Sequence, residues 1–165
     1  MNKADIYIKK LKLIPHPEGG YFKEIYRSGE TLKHGLPGRY KGNRSFSTSI
    51  YFLLKGKQKS LLHKLKSDEI WHFYDGSSLK LYIIDAKSKL SSKLLGRNID
   101  VKESMQLVIK RGYWFCAEVS DENSFALFGC TVAPGFDFSD FELGERKKLL
   151  RLYPQHKELV EKFTK

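Results

Sequence analysis

The stretch SLLHKLKSDEIWHFYDGSSLKLYIID, residues 60–85, decides the fold. Side chains on a strand alternate between its two faces, so residues two apart share a face. On that period Leu61, His63 and Leu65 fall together, and so do Glu69, Trp71 and Phe73. Asp75-Gly76 is a turn signal, and Leu79–Asp85 resumes the apolar run beyond it. Ser60–Leu65, Glu69–Tyr74 and Leu79–Asp85 therefore read as three short consecutive strands. The first two each carry one ionisable side chain, a His and a Glu, on an otherwise apolar face.

Working outward, the same pattern recurs at Ser45–Leu54, Gln106–Ile109, Tyr113–Val119 and Ser124–Val132. Turn signals stand at Lys55-Gly56-Lys57 and Asp121-Glu122-Asn123. An earlier strand, Tyr21–Arg27, sets Phe22, Glu24 and Tyr26 on one side against Tyr21, Lys23, Ile25 and Arg27 on the other. The segment from Ser28 to Arg44 is rich in Gly, Pro and charge and reads as a long loop over one end of the assembly. Many short strands with regular punctuation predict a mainly β protein, a sandwich or barrel. The period turns helical only at the ends. Asn2 can cap a short helix reaching Leu11, stopped by Pro15, Pro17 and Gly19-Gly20, and Gly144–Leu152 and Pro154–Phe163 read as two short C-terminal helices. With no internal repeat and no linker, the 165 residues are expected to form a single domain spanning 1–165.

Composition narrows the partners. Hydrophobic residues make up 41% of the chain, enough for a packed core. The net charge of +11 raises the question of nucleic acid, but the lysines are scattered from Lys3 to Lys165 and form no basic block. Lysine also lacks the planar fork with which arginine reads phosphates and bases. Nucleic acid is therefore not the expected main partner, whereas an anionic small molecule fits the charge. No apolar run approaches the ~20 residues of a membrane span, so no membrane partner is expected. Lysines interrupt the apolar positions of MNKADIYIKKLKLIP, unlike a secretory signal. Cys116 and Cys130 sit in apolar runs without metal-ligand spacing and read as buried, reduced thiols of a cytoplasmic protein.

His63, Glu69 and Gly76 resemble the first cupin motif, His-x-His, three or four residues, Glu, six residues, Gly, with Leu65 at the second His position. Gly112 of Lys110–Phe115 matches the second motif, Pro-x-Gly-x-x-His, but Lys110 replaces the proline and Phe115 the histidine. The chain is further similar, nearly end to end, to a branch of short single-domain cupins of uncharacterised function. The resemblance is carried by His16–Phe22, Ser47–Leu54, Asp68–Phe73, Ala133–Phe138 and the Tyr153-Pro154 turn. It implies a double-stranded β-helix, the cupin jelly-roll barrel, with a short N-terminal helix and C-terminal helices, commonly assembled as a homodimer.

A catalytic metal needs about three protein ligands and an open position. Cupins supply three His and one Glu from the two motifs, and this chain keeps only His63 and Glu69 of that set. His72 lies an odd number of residues from Glu69 and falls on the opposite face. No metal and no other cofactor is expected.

If the motif register holds, His63 and Glu69 point into the barrel among Trp71, Phe73, Tyr113 and Phe115, with Glu24 and Tyr51 as further polar candidates. Such a pocket takes a small molecule. Three readings follow. One is metal-independent acid–base catalysis on a sugar or carbonyl compound, an epimerase or isomerase with His63 as base, Glu69 orienting it and Tyr51 as acid. It is analogous to the metal-free sugar-nucleotide epimerases of the superfamily. The second is a non-catalytic sugar or nucleobase binding protein that stacks its ligand on Trp71, Tyr113 and Phe115. The third is a structural barrel filled by its own side chains. Trp114 and Cys116 are assigned to the opposite face, as structural residues or a subunit contact. His16 is assigned to shaping its Pro/Gly turn, and His34 and His156 to the surface.

Overall fold

A computed structural model describes residues 2–165. Helix α1 (Lys3–Leu11) is capped by Asn2, whose side chain accepts from the Asp5 N–H. The strands that follow are β1 (Ile14–Pro15), β2 (Tyr21–Arg27), β3 (Thr31–Leu32), β4 (Arg44–Ser45), β5 (Thr48–Lys55), β6 (Lys59–Leu65), β7 (Asp68–Gly76), β8 (Leu79–Ile84), β9 (Leu90–Leu95), β10 (Gln106–Ile109), β11 (Trp114–Val119), β12 (Phe125–Ala133) and β13 (Phe141–Leu143). Helices α2 (Arg146–Leu152) and α3 (Lys157–Lys162) close the chain, joined by a short 3-10 turn at Pro154–His156.

Two antiparallel sheets face each other. One has the order β1-β2-β5-β12-β7-β10 and the other β13-β6-β11-β8-β9, while β3 and β4 form a small ribbon inside the long loop. Between them lies the main core, with Phe52, Leu54, Trp71 and Phe128 from the first sheet and Leu79, Leu81, Ile83, Phe115 and Ala117 from the second. Each sheet is also covered outside. Helix α1 packs Ala4 against Leu53 and Leu127. The C-terminal helices pack Leu149, Leu159, Val160 and Phe163 against Leu62, Ile84, Trp114 and Cys116. Trp114 and Cys116 therefore belong to a second core within the chain, and the expected alternative of a subunit contact at Trp114 is corrected. Gly76, matched by the first motif, has φ +96, and a Cβ there would stand 2.1 Å from the Phe125 carbonyl oxygen.

Three β-bulges break the alternation on which the sequence reading relied, one at Tyr74 where β7 meets β12 and two that bear on the site. In β2, Glu24 pairs with Ile50 but Tyr26 pairs with Ser49, leaving Ile25 as the extra residue. Beyond the bulge the faces exchange. Tyr26 is half-exposed, and Arg27, which strict alternation sets on the side opposite Glu24, joins Glu24 at the cavity mouth. In β6, Phe115 pairs with His63 and Ala117 with Ser60, so three steps on β6 answer two on β11. Leu62 joins the outer core, and Ser60 rather than Leu61 shares the inner side with His63.

The long loop is fastened to the segment before β13. Arg44 donates from Nε to Asp140 Oδ2 at 2.6 Å and from a terminal nitrogen to Oδ1 at 2.8 Å, both side chains being buried. This two-point pairing holds one rim of the barrel in place.

Candidate functional site

The site is built where the loop His16–Gly20 crosses the end of the barrel. Gly19 adopts φ +109, and its α-carbon lies so close to β6 that a Cβ would stand 2.1 Å from the Lys59 carbonyl oxygen. The Leu61 N–H donates to the Glu18 carbonyl at 2.8 Å, which locks the loop onto the bulge. This contact turns the Glu18 side chain inward, where it is buried and Oε1 accepts from Ser60 Oγ at 2.7 Å.

His63 is held at both ring nitrogens. Nδ1 lies 2.7 Å from the Leu61 carbonyl oxygen, an acceptor only, so Nδ1 carries a proton. Nε2 lies 3.2 Å from Glu18 Oε2. A neutral His63 then offers a lone pair to Glu18, and the contact is a hydrogen bond only if a proton lies between them. Burial pushes the Glu18 carboxyl up to about 7, opposed by His16 and by the Ser60 hydroxyl. Burial likewise holds His63 below its ordinary value, against the neighbouring Glu69 charge and the Leu61 carbonyl. Both directions favour a protonated Glu18 donating to a neutral imidazole near neutral pH.

Glu69 faces the same cavity from β7. It too is raised to about 7 by burial, opposed by His63, reinforced by the Glu18 charge and opposed again by the nearby Trp71 indole and Cys130 thiol. Its Oε2 is buried without a hydrogen-bond partner, and so is Trp71 Nε1. His16 also lines the cavity, with Nδ1 accepting from the Glu18 N–H at 3.3 Å. Its role is therefore wider than shaping the turn.

The cavity has a volume of about 210 Å³. Its walls are mostly apolar, with Phe22, Phe52, Leu65, Trp71, Phe136 and Phe141 prominent. At the mouth Arg27 grips Glu24 through two hydrogen bonds, Nε to Oε1 at 2.9 Å and a terminal nitrogen to Oε2 at 2.7 Å, and also donates to the Phe136 carbonyl. Asp137 and Phe138 complete the rim.

Of the residues proposed from sequence, His63, Glu69, Glu24 and Trp71 meet at this cavity. Tyr51 does not. It sits at an odd position on β5, between the inward Ile50 and Phe52, and packs on the outer face near α1, edge-on to Tyr74. The acid assigned to Tyr51 is therefore withdrawn. Phe115 is fully buried behind His63, with ring centroids 4.0 Å apart, and is core rather than cavity wall. Phe73 and Tyr113 pack against that core and do not reach the lining. His72 faces outward and contacts Thr131 Oγ1 at 3.0 Å. The carboxyl in contact with a His63 ring nitrogen is Glu18, while Glu69 acts on the imidazole as a neighbouring charge. Sequence reasoning missed Glu18, Arg27 and Phe141. Glu18 lies within His16–Phe22, a segment that carries the resemblance, and its signal was a carboxylate framed by Pro17 and Gly19-Gly20 in a tight loop.

The donor set does not fit a cupin metal centre. Leu65 presents its alkyl chain to the cavity, the Phe115 ring packs tilted against His63, and both His63 nitrogens are already engaged. Among the described residues no group of three or more His, Cys, Asp or Glu side chains is arranged to hold a metal ion.

Comparison with known proteins agrees with this architecture. A family model described as "Cupin superfamily (DUF985)" matches residues 5–144. A hypothetical protein from Leishmania major is 32% identical with a TM-score of 0.90, covering 99% of both chains. A protein from Shewanella oneidensis is 38% identical with a TM-score of 0.89, covering 100% of this chain and 99% of the other. An uncharacterized protein of Saccharomyces cerevisiae is 29% identical over 142 residues, 81% of this chain and 71% of the relative. Oxalate decarboxylase from Bacillus subtilis, 15% identical over 90% of this chain and 36% of its own with a TM-score of 0.57, shares the fold alone. The chain thus belongs to the cupin superfamily, in the family described as DUF985.

Proposed function

We propose that the cavity is a metal-independent acid–base site that moves a proton on a small carbonyl- or sugar-like molecule, as an epimerase or isomerase does. The observation that carries this reading is the 3.2 Å contact between Glu18 Oε2 and His63 Nε2, with Nδ1 pinned on a backbone carbonyl. A pair arranged in this way holds one proton and accepts a second without moving its heavy atoms. Glu69, also poised near neutrality, is the second proton carrier. In the proposed step a C–H beside the substrate carbonyl breaks, and its proton passes to the Glu18–His63 pair. Glu69 protonates the developing enolate oxygen, and return of the proton to carbon restores both groups. Catalytic carboxyls work best with values near the operating pH, which burial supplies here.

The test is solvent exchange. Hydroxyacetone incubated with the protein in D2O should gain deuterium beside its carbonyl faster than in buffer, as read by proton NMR. Glu18→Gln and Glu69→Gln should each slow that exchange by about 100-fold or more while melting stays cooperative. Absence of exchange would leave non-catalytic small-ligand binding, a reading favoured by the unpartnered Glu69 Oε2 and Trp71 Nε1.

A further inference from the structure

The protein carries a net charge of +11, but the cavity does not share it. Its lining contains four carboxyls, Glu18, Glu24, Glu69 and Asp137, and a single guanidinium, Arg27. That guanidinium is already committed to Glu24, to the Phe136 carbonyl and, at 3.4 Å, to Ser45 Oγ. The two imidazoles are held below their ordinary value by burial and add no positive charge near neutrality. A phosphate or carboxylate entering here would lose its hydration beside buried acids and find no free cation. The anionic ligand suggested by the overall charge is therefore not the one this cavity favours.

Two atoms say what it favours instead. Glu69 and Trp71 both line the cavity, are 7% and 1% exposed, and sit two residues apart on the inward face of β7. Oε2 of the one and Nε1 of the other are buried without a well-formed hydrogen bond, an acceptor and a donor on one wall, although the indole N–H and the Cys130 thiol lie near enough to the Glu69 carboxyl to oppose its rise. Buried polar groups are almost always paired, and an unpaired acceptor and donor side by side define a recognition edge that a ligand completes. The size is also bounded, since an apolar cavity of about 150 Å³ already holds a benzene ring.

We infer that the ligand part entering this cavity is an uncharged group of about one ring's size, giving a donor to Glu69 Oε2 and an acceptor to Trp71 Nε1–H. A lactam edge and a hydroxy-carbonyl both meet this description, whereas phosphates and carboxylates are excluded. The inference rests on the cavity being a ligand site but not on catalysis, so binding without deuterium exchange would end the proposed reaction and leave it standing.

The experiment uses the full chain and four probes at millimolar concentration and about pH 8, where both buried carboxyls, at about 7, are largely ionised. They are uracil and hydroxyacetone, which are neutral, and orotate and inorganic phosphate, which are not. Binding is read from the indole N–H resonance of Trp71, assigned by its loss in Trp71→Phe. At least one neutral probe should shift that resonance, and orotate and phosphate should bind about tenfold more weakly or worse. Glu69→Gln, close in shape and checked for a native melt, should narrow the gap between uracil and orotate. Orotate or phosphate binding as tightly as the neutral probes, or a Trp71 resonance that neither neutral probe moves, would overturn the inference.

Discussion

At the scale of single residues, the site is defined by carboxyls whose environment opposes ionisation. Glu18 and Glu69 rise from an ordinary 4.5 to about 7 in the folded protein. As pH climbs from about 4.5 toward 7, the unfolded chain releases these protons first and the native state retains them. The native state then binds more protons, so stability falls as pH rises through that window and levels off above it. The buried His63 and His16 act in the opposite sense, removing stability as pH drops below 6.5. One proton corresponds to about 1.4 kcal/mol per pH unit at the steepest point. Glu18→Gln should therefore flatten the fall in unfolding free energy between about pH 5 and 7, measured by urea titration at several pH values. An unchanged slope would show that Glu18 titrates normally and would remove the basis for a shared proton with His63. Glu18 was legible as a residue, within His16–Phe22, but not as a partner of His63, because 45 residues separate them and only the barrel closes that distance.

At the scale of elements, the strands follow from their two-residue period, and every run from Tyr21 to Val132 expected as a strand forms one within a few residues. What the period misses is an interruption of itself. The bulges at Ile25 and beside Leu61 exchange inner and outer faces, bringing Arg27 to the mouth and Ser60 to Glu18. A bulge depends on how a strand meets its neighbour, so one strand read alone does not show it. The short strand Phe141–Leu143 and the strand Leu90–Leu95 also went unread. The former is too brief to show a period, and the latter, LSSKLL, has serines and a lysine on a sheet edge. The loop that delivers Glu18 depends on Gly19, where φ +109 and the Lys59 carbonyl leave no room for a side chain. Gly19→Ala should cost about 2–4 kcal/mol in unfolding free energy and weaken any probe binding at the cavity. A native-like melt would mean that the loop shifts at little cost.

At the scale of the whole molecule, stability is spread over three apolar layers, the core between the sheets and one outside each. Phe163 illustrates the outer layer, being fully buried and packed on Tyr82 with ring centroids 5.4 Å apart. Its carbonyl also accepts from the Leu62 N–H, next to His63. Phe163→Ala should destabilise by about 3–5 kcal/mol in chemical denaturation, typical for a buried aromatic, and make Cys116 reactive to a thiol reagent. A cost below about 1 kcal/mol would mean that the C-terminal helices are dispensable ornaments on the sheet.

The sequence by itself determined the fold class, the positions of most strands, the terminal helices and the inward register of His63, Glu69 and Trp71. All of these follow from local period, turn chemistry and the spacing of one motif. Only the tertiary structure decided that Glu18 is the partner of His63, that Arg27 rather than Tyr26 guards the mouth, and that Tyr51 lies outside. It also decided that a basic protein encloses an acidic cavity. The physical reason is the same in each case. Pairing between distant strands, bulges and burial set where charges meet and how they ionise, and none of these is a property of a residue and its near neighbours along the chain.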